Sequence, residues 1–280
     1  MSMKKLLTLA LAMLMVLSLA ACGSSGTTEP SANSATSTEE GAEATDITTV
    51  EPGKLILATN CQFPPYEMVA DGEGVYQGYE GIDIELATII AEKLGLELQI
   101  DDMDFDSSLL AVQEGRSDIL LAGLTYTEER DEVMDFTTKY ATGVQVVIVK
   151  EGSDVTMDNL GEKLVGTQRG TTGYQYASAA PEDGGFGEDH VLAYDNGATA
   201  VQALVNGQVD AVIIDEAPAE QYVAANDGLT ILPTAWVEED YCIAVDEGNT
   251  ALLDAVQAIL DEMQADGTLD AIIAKYISAD

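Results

Sequence analysis

LLAVQEGRSDILLAG (residues 109–123) reads as the end of an apolar helix, a glycine stop, an aspartate and a buried strand. Gly115 supplies the left-handed turn after the helix, and Asp118 follows three residues later. The same order returns in AVQALVNGQVDAVIID (200–215), with Gly207 and Asp210 in the corresponding places. Glycine ends many helix-to-strand connections, so one copy says little. Two copies, each set among alternating strand and helix patterns, predict two lobes of like α/β architecture.

Upstream, KLILAT (54–59) has strand character. DIELATIIAEKLG (83–95) carries Ile84, Ala87, Ile90, Ala91 and Leu94 at helical spacing, with Asp83 placed to cap and Gly95 to stop, and LELQI (96–100) alternates as a strand again. Such β-α-β order predicts parallel strands covered by helices. Downstream, YATGVQVVIVK (140–150) and EEDYCIAV (238–245) read as extended crossings between lobes. Two amphipathic helices follow, one marked by Leu252, Leu253, Val256, Ile259, Leu260 and Met263 and the other by Leu269, Ile272, Ile273, Tyr276 and Ile277, with Gly267 between them. The predicted organisation is a first lobe of 54–141 plus 243–280 and a second of 145–237. Each is a mixed, mostly parallel sheet flanked by helices, and the two crossing strands form a hinge.

The first 53 residues stand apart. Lys4 and Lys5 precede an apolar run (6–19) too short to span a bilayer comfortably, and the run ends in Leu19-Ala20-Ala21-Cys22. Residues 1–21 read as a signal peptide whose ending resembles a bacterial lipobox, which implies export and lipidation of Cys22; an ordinary secretory signal is the alternative. Residues 22–53 hold no aromatic side chain and are rich in Ser, Thr, Ala, Gly and Glu, the composition of a flexible tether with a reach of about 30 Å.

Charge and rare residues exclude whole classes of function. With 50 Asp and Glu against 11 Lys and Arg, the net charge of -39 repels phosphate backbones, so nucleic acid is not expected as a partner. The sole histidine, His190, and the cysteines Cys61 and Cys242 match no metal-ligand spacing; no metal or cofactor is expected, and the two cysteines are expected as unpaired thiols.

Open α/β sheets place ligands beyond the carboxyl ends of their strands. The first repeat's strand runs into Gly123, Thr125 and Arg130, one of three arginines and flanked by five acids within six residues; the second runs into Asp215. KLVGT (163–167) leads through Gln168 and Arg169 into Gly170, Thr171 and Thr172, which open a helix whose free N–H groups favour an anion. Each has a plainer alternative: Arg130 as a surface cation compensating its acidic neighbours, Asp215 and the Gly170–Thr172 turn as helix caps, and Phe63 and Phe105 as core aromatics.

In this order and spacing, FPPYE (63–67), GIDIELATIIAEKLG (81–95), DMDFDSSLLAVQEGRSDILLAGLTYTEER (102–130) with Asp135-Phe136, GTTG (170–173) and GQVDAVIIDEAPA (207–219) resemble the extracellular solute-binding proteins of ABC importers, family 3. The resemblance covers residues 54–280. It implies a two-lobe periplasmic-binding-protein fold of type II and a monomeric lipoprotein, held at the outer face of the cytoplasmic membrane through Cys22. Such a protein captures a free L-amino acid and delivers it to the permease subunits in the membrane. By the same resemblance Arg130 grips the ligand carboxylate with Thr171 or Thr172, Gly123, Thr125 and Asp215 take the ammonium, and Phe63 and Phe105 cover the side chain. Relatives that hold basic or amide side chains often carry an aspartate where this chain has Asn60, so a neutral, polar amino acid is expected here. The pattern departs at Ile82, where an aromatic is usual, and Tyr79 is the candidate for the missing ring. Two alternatives remain open. One is a dehydratase-like enzyme on this fold with Glu67, Glu80 or Asp83 as its acid-base group. The other is a sensor module, against which the end of the chain at Asp280, directly after its last helix, speaks.

Overall fold

The computed structural model of the chain describes residues 47–277. The expected signal peptide, Cys22 and most of the tether lie outside the described residues.

The chain begins with β1 (Lys54–Thr59), three short strands β2 (Gln62–Phe63), β3 (Glu67–Val69) and β4 (Tyr79–Glu80), then α1 (Ile82–Leu94), β5 (Glu97–Asp102), α2 (Phe105–Gln113) and β6 (Ile119–Leu120). After α3 (Glu128–Asp131) and β7 (Met134–Phe136) comes the long β8 (Ala141–Lys150). The second half runs β9 (Val165–Gln168), α4 (Thr172–Ser178), β10 (Val191–Tyr194), α5 (Gly197–Val205), β11 (Ala211–Asp215), α6 (Glu216–Ala225) and β12 (Leu229–Ile231). β13 (Val237–Tyr241), β14 (Ala244–Asp246), α7 (Thr250–Asp266) and α8 (Thr268–Tyr276) complete it.

Two sheets organise these elements. One has the order β5-β1-β6-β14-β7, the other β10-β9-β11-β8-β12 with β13 also on β8. Within each, a parallel core (β5-β1-β6, β10-β9-β11) continues into antiparallel strands on the side where the chain crosses. β8 and β13 pair antiparallel over Ala141–Gln145 and Val237–Tyr241, and these two strands join the lobes. α7 and α8 return to pack on α1 in the first lobe, burying Leu252, Val256, Ile259, Leu260, Met263, Leu269 and Ile272.

The repeat is the same local structure twice. Gly115 and Gly207 take positive φ, +63° and +72°, directly after α2 and α5. The aspartate then ties its own strand to the neighbour: Asp118 Oδ2 accepts from Ile56 N at 2.7 Å, and Asp210 Oδ2 accepts from Leu164 N at 2.9 Å. Asp118 Oδ1 also accepts from Val50 N at 2.7 Å, which pins the segment before β1 to the first lobe.

α1 starts differently from the sequence expectation. Asp83 is not its cap. Gly81 is the N-cap, and the free N–H groups of Ile82 and Asp83 donate instead to the carbonyls of Pro65 and Tyr66. That leaves the Asp83 side chain, fully buried, to turn toward the site.

Candidate functional site

Residues at or just beyond the carboxyl ends of β1, β6, β9 and β11 converge between the lobes. All ten candidate residues, Asn60, Phe63, Phe105, Gly123, Thr125, Arg130, Gln168, Thr171, Thr172 and Asp215, line one pocket there, together with Glu67 and Ala122. It encloses about 330 Å³ of space between atoms, partly continuous with solvent.

Arg130 is 5 % exposed, which removes the surface-compensation reading. Thr127 starts α3 and its hydroxyl accepts from Arg130 N at 3.1 Å, fixing the backbone from which the side chain leaves. The guanidinium lies over the Phe105 ring, donates from one Nη to Thr125 O at 2.6 Å, and from the other reaches across the cleft to Gly170 O at 3.1 Å. Its Nε–H has no partner among the described residues. Burial pulls its pKa down to about 10, against the nearby Glu239 charge, so it remains a cation at neutral pH.

Asp215 ends β11 and precedes α6, yet its side chain does not cap that helix. It accepts instead from the Tyr241 hydroxyl on the hinge strand. Burial, then the Glu239 charge, raise its carboxyl to about 7, with the Tyr241 and Gln145 hydrogen bonds pulling the other way. Gly123 has φ +54° and its N–H donates to Asp83 Oδ2 at 2.8 Å, so its loop is held from below by the carboxylate at the start of α1. The Tyr140 hydroxyl donates to the same oxygen at 2.9 Å.

Other expected residues are already engaged. Asn60 Nδ2 donates to Met103 O at 2.8 Å, and Asn60 Oδ1 accepts from Gln168 Nε2 at 3.2 Å across the cleft. The Thr171 hydroxyl caps α4, accepting from Tyr174 N at 3.2 Å and donating to Gln168 O at 2.8 Å, while Thr172 behind it is buried against the pocket. Tyr79 does not line the pocket: it pairs in β4 with β3 and leaves the missing-ring position to the fully buried core residue Ile82.

Glu67 was expected only as an acid-base candidate of the enzyme alternative, and Glu239 and Tyr241 were not expected from the sequence at all. Glu67 lines the pocket with 0 % exposure, and neither of its carboxylate oxygens has a partner among the described residues. Burial and the adjacent Asp83 charge hold its carboxyl well above the ordinary range. Glu239 and Tyr241 stand behind the pocket on β13. The alternation of EEDYCIAV was the available signal, since it puts Glu239, Tyr241 and Ile243 on one face. Cys61 and Cys242 are free and buried. Among the described residues no group of three or more His, Cys, Asp or Glu is placed to hold a metal ion, and no helix is long and apolar enough to cross a membrane.

Two α/β lobes joined by a two-strand hinge, with opposite buried charges facing one another between them, define a solute-binding protein of the type II periplasmic-binding-protein fold. The chain belongs to the bacterial extracellular solute-binding proteins, family 3, whose family model matches residues 55–279. It is 30 % identical over 282 residues to the arginine-binding extracellular protein ArtP of Bacillus subtilis (strain 168), covering 99 % of this chain and 100 % of ArtP. It is 32 % identical over 234 residues to the L-cystine-binding protein TcyJ of Escherichia coli (strain K12), covering 82 % and 85 %. Among solved structures, an ancestral arginine-binding protein bound to arginine superposes with a TM-score of 0.72 at 38 % identity, over 81 % of this chain and 99 % of that one. An ancestral arginine-binding protein bound to glutamine gives 0.73 at 37 % identity, over 82 % and 100 %. These relatives are binding proteins rather than enzymes.

Proposed function

We propose that the chain is the capture component of an ABC importer, binding a free amino acid between its lobes and passing it to a membrane permease. The observation that carries this is the pairing of one buried cation, Arg130, with one buried anion, Asp215, at a single pocket. A zwitterion needs both. Arg130, with Thr172, would take the carboxylate in a planar fork, and Asp215, with the Gly123 carbonyl and the Thr125 hydroxyl, the ammonium. Phe63 and Phe105 would flank the side chain. Export and a lipid anchor on Cys22 complete the proposal, keeping a monomer within tether reach of the permease.

The side chain is a separate question. A neutral, polar ligand was expected from Asn60, but both ends of that amide are engaged by Met103 and Gln168. Glu67 offers instead a buried carboxyl with no close partner among the described residues; raised by burial and Asp83, it presents two acceptor oxygens only where a cationic side chain holds it ionised. In that form it fits a side chain ending in charged N–H donors. Guanidinium matches both oxygens at once and adds a cation to a pocket with more acids than bases, so arginine is favoured over the neutral amide of glutamine. Relatives named for arginine, histidine and glutamine binding are among the matches, and so is an L-cystine-binding protein.

Calorimetry with the twenty amino acids tests both parts. Arginine should bind tightest, near micromolar or about -8 kcal/mol, and Glu67→Gln should reverse the order of arginine and glutamine. Binding of no amino acid would overturn the capture role. Tightest binding of a polar ligand without side-chain N–H groups would overturn the part given to Glu67 and leave the neutral expectation standing.

A further inference from the structure

We infer that Glu239 is a positioning residue for amino-acid capture: from the hinge strand it fixes the Thr125 hydroxyl so that only its lone pairs face the pocket. The inference rests on the capture reading above and adds a residue that does not itself line the pocket.

Glu239 lies in β13 opposite Gly143 of β8, is 5 % exposed, and so sits inside the crossing rather than on it. Its Oε2 accepts from Thr125 Oγ1 at 3.1 Å and from Gln145 Nε2 at 2.9 Å. A hydroxyl has one hydrogen to give. With that hydrogen directed at Glu239, Thr125 can only accept from a ligand, which suits an ammonium and rejects a carboxylate. The Thr125 carbonyl at the same time receives the Arg130 guanidinium, so one residue held by Glu239 orients parts of both charged half-sites.

The strand repeats the device two residues on. Tyr241, on the same face as Glu239, donates to Asp215 from the second lobe. Alternate side chains of one hinge strand therefore hold the two side chains assigned to the ammonium, one from each lobe. Gly143 allows this, because the Tyr241 ring occupies the space where a Cβ would stand.

The charged and titratable groups facing Glu239 are Arg130 of α3, Asp215 at the end of β11, Tyr176 of α4 and Tyr241 two residues on. Those facing Asp215 are Glu239, Tyr241 and Arg130, with Tyr66 and Glu67 beyond. Removing the Glu239 charge should let Asp215 ionise at lower pH.

The test uses whichever of L-arginine and L-glutamine binds the wild-type chain more tightly. Glu239→Met and Thr125→Val should each weaken binding about tenfold or more, and the double variant should be no weaker than the weaker single one, because both remove the same bond; Glu239→Gln, whose amide oxygen can still accept from Thr125, reads the charge alone. Thr125→Ser should restore binding. The acid midpoint of the affinity profile should move to lower pH in Glu239→Gln, which a loss of packing alone would not cause. If Glu239→Met does not fold, Glu239→Asp, which keeps the charge but shortens the reach, should show the same loss against Thr125. Losses that multiply in the double variant, or Glu239→Met within about threefold of wild type, overturn the inference while the capture reading stands. A wild-type chain that binds no amino acid overturns both.

Discussion

The guanidinium carbon of Arg130 lies 5.6 Å from the centre of the Phe105 ring, and the same side chain donates to Gly170 O of the opposite lobe. Stacking, two carbonyl bonds and burial leave it one orientation, which is what a carboxylate fork needs. Arg130→Ala should weaken amino-acid binding by on the order of 2–5 kcal/mol, since the ligand carboxylate would be desolvated without a partner. Arg130→Lys should recover part of the charge but not the fork. Binding of Arg130→Ala within about threefold of wild type by calorimetry would remove Arg130 from the site.

Asp215 gives the pocket a pH dependence with a defined sign. With its carboxyl at about 7, it is mostly protonated at pH 6 and mostly ionised at pH 8. An ammonium requires the ionised form, so affinity should be full above pH 7 and fall by up to about tenfold per pH unit below it, with a proton released on binding. A cationic ligand side chain against Glu67 would steepen the same limb. Asp215→Asn should bind weakly and lose the Asp215 part of the slope. Equal wild-type affinity at pH 5.5 and 8 would rule this out.

Gly123 needs to be glycine for two reasons. Its φ of +54° is costly for any residue with a Cβ, and a Cβ there would stand 2.7 Å from Cε1 of Phe63. Gly123→Ala should destabilise the chain by about 1–3 kcal/mol and displace the Phe63 wall, weakening ligand binding further. An unchanged melting temperature would show that the loop adapts.

The repeat was legible because a helix, a left-handed glycine and an aspartate leave the same short signature wherever they occur, and the structure uses Asp118 and Asp210 alike. The pocket residues at strand ends followed from the same logic. Glu239 was not singled out, and Glu67 only as an acid-base candidate of the enzyme alternative, because among 50 acids a buried one carries no local mark. Their burial comes from long-range packing: Glu67 from the turn through Pro64 and Pro65 against α1, Glu239 from pairing with a strand nearly a hundred residues earlier. Asp83 was misplaced as a cap for a related reason, since the carbonyls that satisfy α1 come from Pro65 and Tyr66, outside any capping motif.

Tyr222 of α6 donates its hydroxyl hydrogen to Gln62 O of the first lobe at 3.0 Å, and neither residue lines the pocket. With the Gln168–Asn60 and Arg130–Gly170 bonds it joins the lobes face to face. If a ligand binds by closing the lobes about β8 and β13, removing this bond leaves every pocket contact intact yet makes closure less favourable. Tyr222→Phe should then weaken binding by about 0.5–1.5 kcal/mol, roughly twofold to tenfold. Trp236, stacked on Phe186 at 5.7 Å beside the hinge, should report the motion in fluorescence. Solution scattering should show wild type contracting on addition of arginine, and Tyr222→Phe contracting only at higher concentration. Wild-type scattering unchanged by saturating ligand would mean that the lobes do not close on it, and equal affinities would mean that this contact plays no part in closure.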